Sequence, residues 1–569
     1  MADRTFHLGI NMAGAISAGA YTAGVLDFLM EALEEWQAAK DKFRAWQKNP
    51  ASGPMPDPVP LHDVLIDVFS GASAGGMCAS IASVMVQQPF QHITSGDEQN
   101  TTNTFYESWV NKIDIHPLLG TDDLKPGQPL LSLLDSNIID SIAEFALTPT
   151  THQARPYIAS DLTLFVTLTN VTGVPYLLYD DPAPTVEEFT AYYADRLRFE
   201  TTVGAAMPTG ARANALPANQ PTAPGWGLLK IAAKATGAVP VALASRILPR
   251  DVKDYATPGW LPLCGSGTPL APAFPPTVTT PWRTLNVDGG VTDNSPFQMS
   301  HDYLAARNPA AVNCSNPRSP DAANAAVVSV APFPMVNTLD PGYKPEDHQG
   351  IWSILGSFLN VTLSQSRFFG EDLSAITGGA TFSRFVIAPS DPAQSGQTAL
   401  QCGTLGAFGG FFSRGFRKHD FLLGRRNCQR FLQCHFVLLD SNPIIAAGLA
   451  DAGPIAAQIR TKFLEGPPSG NPNLPQTKNW MPVIPLCGAA AGQVLQPARN
   501  FIAQDDVKHI AGLIMQRLDA IRGYLATGTL GTWISRVLGL LLNTWFVRGR
   551  VQDAITEALL NGLKPNVKP

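Results

Sequence analysis

One serine among very small residues constrains this chain most. Phe69-Ser70-Gly71-Ala72-Ser73-Ala74-Gly75-Gly76 follows the apolar run Val64-Leu65-Ile66-Asp67-Val68-Phe69 and precedes an apolar, proline-free stretch over 77–86. The first run has the near-continuous apolar character of a strand buried on both faces of a parallel sheet. The second has the composition of a helix. Between them lies G-x-S-x-G. A sharp strand-to-helix turn needs tiny flanking residues so that the backbone can fold past the serine side chain. The Ser73 hydroxyl then projects at a helix N-terminus, where the helix dipole and free N–H groups favour negative charge. The same pattern also suits a plain tight turn, so Ser73 needs a base elsewhere in the chain to be a nucleophile.

At 569 residues, with 45% apolar and 15% charged side chains, the chain is globular and long enough for several units. Its 48 glycines and 48 prolines predict long irregular connections. A net charge of −6 leaves no basic excess to neutralise phosphates, which excludes nucleic acid as a partner. The seven cysteines (Cys78, Cys264, Cys314, Cys402, Cys428, Cys434 and Cys487) contain no C-x-x-C, so no zinc or redox pair is expected. They read as free thiols of a reducing compartment. No signal-peptide core precedes the strand-like Thr5-Phe6-His7-Leu8-Gly9-Ile10, and the apolar run over 537–547 is too short to span a bilayer. The expectation is a cytoplasmic protein, at most peripheral at a membrane, without cofactor or metal and of undefined oligomeric state.

In order, the pattern predicts a first strand over 5–10, a loop of small residues over 11–20, and a long helix. On that helix Val25, Phe28, Leu29, Leu33, Trp36, Ala39 and Phe43 recur at helical spacing. The loop suits either an anion cradle or close helix–sheet packing. An insertion or lid is expected over 88–156. Strands follow over 162–169 and 176–179, joined by a turn at 170–173, and another over 198–203. Residues 228–248 read as a helix interrupted near Pro240. A short strand over 283–287 ends in Asp288-Gly289-Gly290. Pro296 opens a helix, and strands follow over 325–330 and 385–388 with a helix over 351–369 between them. The tail over 505–563 is helical, with Ile510, Leu513, Ile514, Leu518 and Ile521 on one face. The stretch 411–431 interleaves arginines with phenylalanines, which suits either anionic lipid headgroups or internal ion pairing.

Histidines 301, 348, 419 and 435 do not fit a Ser-His-acid order, because at most two strands precede Ser73. A Ser-Asp pair fits better. The small-residue loop leading into Ala20-Tyr21-Thr22-Ala23-Gly24-Val25-Leu26, the elbow Gly71-Ala72-Ser73-Ala74-Gly75 and the strand-end Asp288-Gly289-Gly290 together resemble the patatin-like phospholipases over roughly residues 5–310. The resemblance implies an α/β fold, a three-layer α/β/α sandwich of the patatin-like type with a predominantly helical C-terminal extension. It implies a catalytic domain over 1–310; the composition and pattern of the remainder add a continuation of the α/β unit with additional helices over 311–464, a Pro/Gly/Asn-rich connection over 465–500 and a helical region over 501–569. The resemblance also implies roles. Ser73 attacks the carbonyl of a phospholipid or other lipid ester, and Asp288 accepts its proton directly. Backbone N–H groups of the first loop, bracketed as Ala13, Gly14 and Ala15, hold the oxyanion, and an acyl-enzyme forms. Gly71 and Gly75 shape the elbow, and Gly289 and Gly290 shape the acid's turn.

The first loop departs from the family pattern. Gly14-Ala15-Ile16-Ser17-Ala18-Gly19 lacks two glycines and the basic residue usual there. The backbone donors survive that change, but a silent scaffold or binding protein stays open as an alternative, as does acyl transfer to an acceptor other than water.

Overall fold

Apolar side chains recur at every second position of Thr5–Met12 (β1), and Phe6, Leu8, Ile10 and Met12 are all buried in the main core. The computed structural model describes residues 4–177, 188–202, 213–256, 272–334, 344–348, 381–392, 394, 396–466, 479–526 and 545–568. β1 lies in the interior of a mixed, mostly parallel sheet. Its neighbours are Asp63–Gly71 (β2) on one side and Ala325–Val330 (β8) on the other, both parallel to it. The sheet continues through Ile158–Leu177 (β3), Phe189–Thr202 (β4) and Asn214–Pro217 (β5) on the β2 side, and through Arg384–Ile387 (β9) beyond β8.

The pairing along β3 positions the site. β2 runs parallel to β3 and ends with Gly71 opposite Val166. Trp282–Asp288 (β7) runs antiparallel to β3 on the continuation of the same edge and ends with Asp288 opposite Leu168. The two strands therefore point their C-terminal ends at each other. Arg246–Arg250 (β6) pairs with the far edge of β7.

Helices cover both faces. Gly19–Lys48 (α1), Ala74–Met85 (α2) and the Pro224–Thr236 helix share the main core. On the other face the Phe297–Arg307 helix sets Phe297, Tyr303 and Leu304 against Val68, Phe165, Ala325 and Val327. The Arg414–Cys434 helix lies along α1. Two of its basic residues, Arg417 and Arg425, turn inward. Arg417 donates to the carbonyls of Val110 and Gly410, and Arg425 pairs with Asp27 and Glu31 of α1. Asp27 is fully buried and also accepts from Asn103 at 2.7 Å and meets His92 at 3.1 Å, which ties the 88–156 segment to α1. The 411–431 stretch thus takes the internal ion-pairing alternative.

Several local expectations change. The turn expected at 170–173 is a bulge within one strand. Thr169 faces Ala194 and Val174 faces Tyr192, so four residues of β3 stand against one of β4. Turn-like residues at 170–173, with Gly173 at φ +77°, mark both a turn and a bulge in a sequence. The helix expected over 228–248 stops at Thr236, and its last residues form β6 instead, because pairing with β7 recruits them. Within the expected connection over 465–500, Trp480–Pro482 pairs with Val437–Leu439. Leu518 is 37% exposed, away from the buried Ile510 and Ile521. Cys314 is disulfide-bonded, against the expectation of free thiols throughout, whereas Cys78, Cys402, Cys428, Cys434 and Cys487 are free. The helix expected over 351–369 lies outside the described residues. Among the described residues no helix is long and apolar enough to cross a membrane.

Arg425 holds two carboxylates that burial would otherwise penalise. Arg425→Ala should cost about 3–5 kcal/mol in urea unfolding, the range for stranding a buried charge. A loss below about 1 kcal/mol, the level of an exposed pair, would show that the cluster does not anchor α1.

Candidate active site

Ser73 sits where β2 turns into α2, with φ +52° and ψ −130°. A non-glycine residue in that region costs on the order of 1–3 kcal/mol and persists only where the surroundings over-determine it. Here they do. The Ala72 amide donates to the Met12 carbonyl at 3.2 Å, and the Ser73 amide donates to Thr236 Oγ1 at 2.9 Å. Gly75 rests directly on the end of β1, where an added Cβ would stand 2.1 Å from the Met12 carbonyl oxygen. Only glycine permits that approach. Although Ser73 occupies the cap position of α2, its hydroxyl does not cap the helix and is left for another partner.

That partner is Asp288. Ser73 Oγ donates to Asp288 Oδ2 at 2.6 Å, and the Gly290 amide donates to Oδ1 at 2.7 Å. The Asp288 backbone is pinned as well. Its amide donates to Ala238 O at 2.9 Å, and its carbonyl accepts from Thr169 Oγ1 at 2.8 Å. Both side chains are nearly closed off, Ser73 at 5% exposure and Asp288 at 4%. Burial pushes the Asp288 carboxyl from 3.8 up to about 7, against the opposing pull of the hydrogen bonds from Ser73 and Gly290. Among the described residues neither Ser73 nor Asp288 is hydrogen-bonded to a histidine. The same residues hold no cluster of His, Cys, Asp and Glu suited to a metal.

The first loop runs beside them. The Ala13 amide donates to Val330 O and the Gly14 amide to Asn294 O, each at 3.1 Å, so both are engaged within the fold. The amides of Ala15, Ala74 and Gly75 have no acceptor among the described residues. Gly14 is wedged in place: an added Cβ would lie 2.0 Å from Asn294 Oδ1 and 3.1 Å from Ser73 Cβ. Asn294 Oδ1 also crowds Gly290, so one amide spans the first loop and the acid's turn. The loop is clamped from behind by Ser17. Its amide and hydroxyl both reach Ala407 O, and its oxygen accepts from the Gly410 amide at 3.0 Å.

From Ser73 an apolar cavity opens. Ile16 and Ala74 flank it at the serine; Met77 and Ile81 of α2, Trp109, Ile142, Leu243 and Phe411 line it further along. Sequence reasoning marked the 88–156 segment as a lid but did not assign Trp109 or Ile142 to a site. It also passed over Thr236 and Asn294. Asn294 stood six residues past Asp288 in the same turn-rich run, which was the one available signal. Thr236 had none, because it reaches Ser73 only through helix packing.

An uncharacterized protein of Sinorhizobium fredii, y4iI, is 30% identical to this chain over 609 aligned positions, covering 98% of this chain and 81% of that protein. The chain belongs to the y4iI family. No family model matches the sequence. The crystal structure of VipD from Legionella pneumophila is similar at a TM-score of 0.22 and 11% identity, over 100% of this chain and 89% of that one.

Two outcomes follow. The raised Asp288 pKa means that the folded protein holds a proton there between pH about 4 and about 7 that the unfolded chain has lost. This group's contribution to stability therefore falls as pH rises through that window, by up to roughly 4 kcal/mol. Asp288→Asn should remove the slope and stabilise the protein at pH 8, as read by unfolding at pH 4 and 8; an unchanged pH dependence would contradict the desolvated carboxyl. Gly14→Ala should slow modification of Ser73 by a phosphonylating reagent by on the order of tenfold or more, because it displaces the loop against Ser73. Adding Asn294→Ala should recover part of the loss, and labelling at the normal rate in Gly14→Ala would exclude the close fit.

Proposed function

We propose that this chain is a serine acyl hydrolase of the patatin-like type, with a three-layer α/β/α fold, that cleaves carboxylic esters of phospholipids or related lipids. The observation that carries this reading is the 2.6 Å hydrogen bond between Ser73 Oγ and a buried carboxylate at the head of an apolar cavity. A serine hydroxyl needs a base, and a carboxylate is weak in water; burial that lifts Asp288 to about 7 brings it into the useful range.

In this reading Asp288 Oδ2 takes the Ser73 proton as Oγ bonds to the ester carbonyl carbon. The C–O bond to the alcohol then breaks, and the leaving oxygen takes the proton from Asp288. Water attacks the acyl-serine, giving its proton to Asp288, which returns it to Ser73 as the fatty acid leaves. With Ala13 and Gly14 engaged elsewhere, the amides of Ala15, Ala74 and Gly75 are the proposed oxyanion donors; one such donor typically contributes about 3–4 kcal/mol to the transition state. The cavity lining takes the acyl chain, and no cofactor is required by the scheme.

A second reading, a catalytically silent member that binds lipid, is favoured by the commitment of the Ala13 and Gly14 amides within the fold. A fluorophosphonate probe separates the two. Labelling of the wild type but not of Ser73→Ala supports hydrolysis, and absence of labelling in folded protein sinks it. Turnover of a soluble ester should rise with pH through about 7 and level off above it, because the base must be ionised. Asp288→Asn should lower that turnover by at least about a hundredfold; near-normal turnover would contradict the pairing. Product analysis with and without added lysolipid distinguishes water from another acyl acceptor.

A further inference from the structure

Two segments wall the apolar cavity on one side, and both alternate between cavity and solvent. On the first, Leu134 lines the cavity while Leu131 and Leu133 are 63% and 45% exposed. On the second, Val239 and Leu243 line the cavity while Val241 between them is 70% exposed. The segments are joined by backbone hydrogen bonds, Leu133 N to Val241 O at 2.9 Å and Leu134 N to Ala242 O at 3.1 Å. The cavity is thus separated from solvent here by a wall one residue thick, and the outer side of that wall is leucine and valine.

Val241 adds an independent sign. Its φ is +69°, a genuine outlier for a β-branched residue. A folded chain keeps such strain where surroundings impose it, most often at functional positions. Here the strained backbone presents an apolar side chain to water. The partner segment is fixed from inside. Arg517 of the Gln504–Ala526 helix is 2% exposed, donates to Leu133 O at 2.9 Å and Gly120 O at 2.5 Å, and pairs with Asp123 at 2.5 Å. The Gln504–Ala526 helix therefore holds the leucines outward as a formed surface.

Three cations of the neighbouring elements pair with two carboxylates, and the rim's own segment carries Asp122 and Asp123 against Lys125, which leaves the surroundings without a net excess of either sign. Lys230 pairs with Glu144 at 2.7 Å, Lys234 with Asp140 at 2.7 Å, and Arg246 with Asp140 at 3.2 Å. An apolar rim with balanced charge around it fits a zwitterionic lipid surface better than an anionic one. We propose that Leu131, Leu133 and Val241 form a docking rim that seats the protein on a zwitterionic lipid surface, with the thin wall of the cavity facing that surface. The assignment of the cavity to an acyl chain rests on the acyl-hydrolase reading; the docking itself does not need turnover.

The test uses the full chain carrying Ser73→Ala, so that binding is measured without hydrolysis, and phosphatidylcholine vesicles as the probe. Co-sedimentation should show binding that falls about tenfold or more when Leu131→Ser, Leu133→Ser and Val241→Ser are combined, since apolar burial supplies the attraction. Leu495→Ser removes a side chain 74% exposed that lines neither rim nor cavity, and binding should stay within about twofold. Adding phosphatidylserine to the vesicles should not strengthen binding. No binding of the parent protein, equal binding of the triple variant, or binding that depends on phosphatidylserine overturns the proposal. So does light scattering that finds a parent dimer and a monomeric triple variant, because the rim's occupant is then a second copy. Vesicle binding without fluorophosphonate labelling of the wild-type serine would leave the rim standing and remove the hydrolase reading; labelling without rim-dependent binding would do the reverse.

Discussion

Two strand ends meeting head-on along one edge of β3 is the constraint on which the site depends. β2 approaches from one direction and stops opposite Val166, and β7 approaches from the other and stops opposite Leu168. Parallel pairing in one case and antiparallel pairing in the other turns a separation of 215 residues into a 2.6 Å hydrogen bond. Strand pairing sets that distance more rigidly than loops would, because the ladder bonds next to Gly71 and Asp288 must break before either end can drift. The Thr169 hydroxyl and the Ala238 carbonyl then fix the Asp288 backbone on either side.

Desolvation gives this pair its chemical character. Ser73 and Asp288 are both closed off, and among the described residues Asp288 gains no cation to offset its burial, so its carboxyl stays near neutral pH in its affinity for protons. Elsewhere the fold treats buried carboxylates differently. Asp27 is fully buried too, but it has Arg425, His92 and Asn103, and it stays ionised with a lowered pKa. The contrast shows two uses of burial in one chain: a paired carboxylate that ties three segments together, and an unpaired one whose proton affinity is raised.

Much of the scaffold was legible in the sequence. The Val64-Leu65-Ile66 run reads as a buried strand and is one, and the apolar spacing from Val25 to Phe43 reads as a helix and lies within Gly19–Lys48. The strand over 325–330 is found with the same bounds, and the one over 283–287 extends by a residue at each end. Errors came where tertiary pairing overrode local pattern. Asn170 to Gly173 has turn composition, yet β4 and β7 hold the chain extended on both sides and leave a bulge. Residues after Thr236 are apolar enough for a helix, yet β7 offers an edge and takes them as β6. The interleaved arginines and phenylalanines over 411–431 carry no mark of direction, and only the carboxylates of α1 draw Arg425 inward.

By itself the sequence determined the local chemistry: a serine between tiny residues at a strand–helix junction, an acid at a strand end, and the small residues that let backbones touch there. These are readable because turn geometry and periodicity are properties of neighbours in the chain. Only the tertiary structure decided that the two groups meet, that Ala13 and Gly14 spend their amides on Val330 and Asn294, that Trp109 and Leu243 wall one cavity, and that Arg517 reaches back to hold Leu133. Those facts depend on segments far apart in the chain competing for the same edges and the same space, and no local pattern records which of them wins.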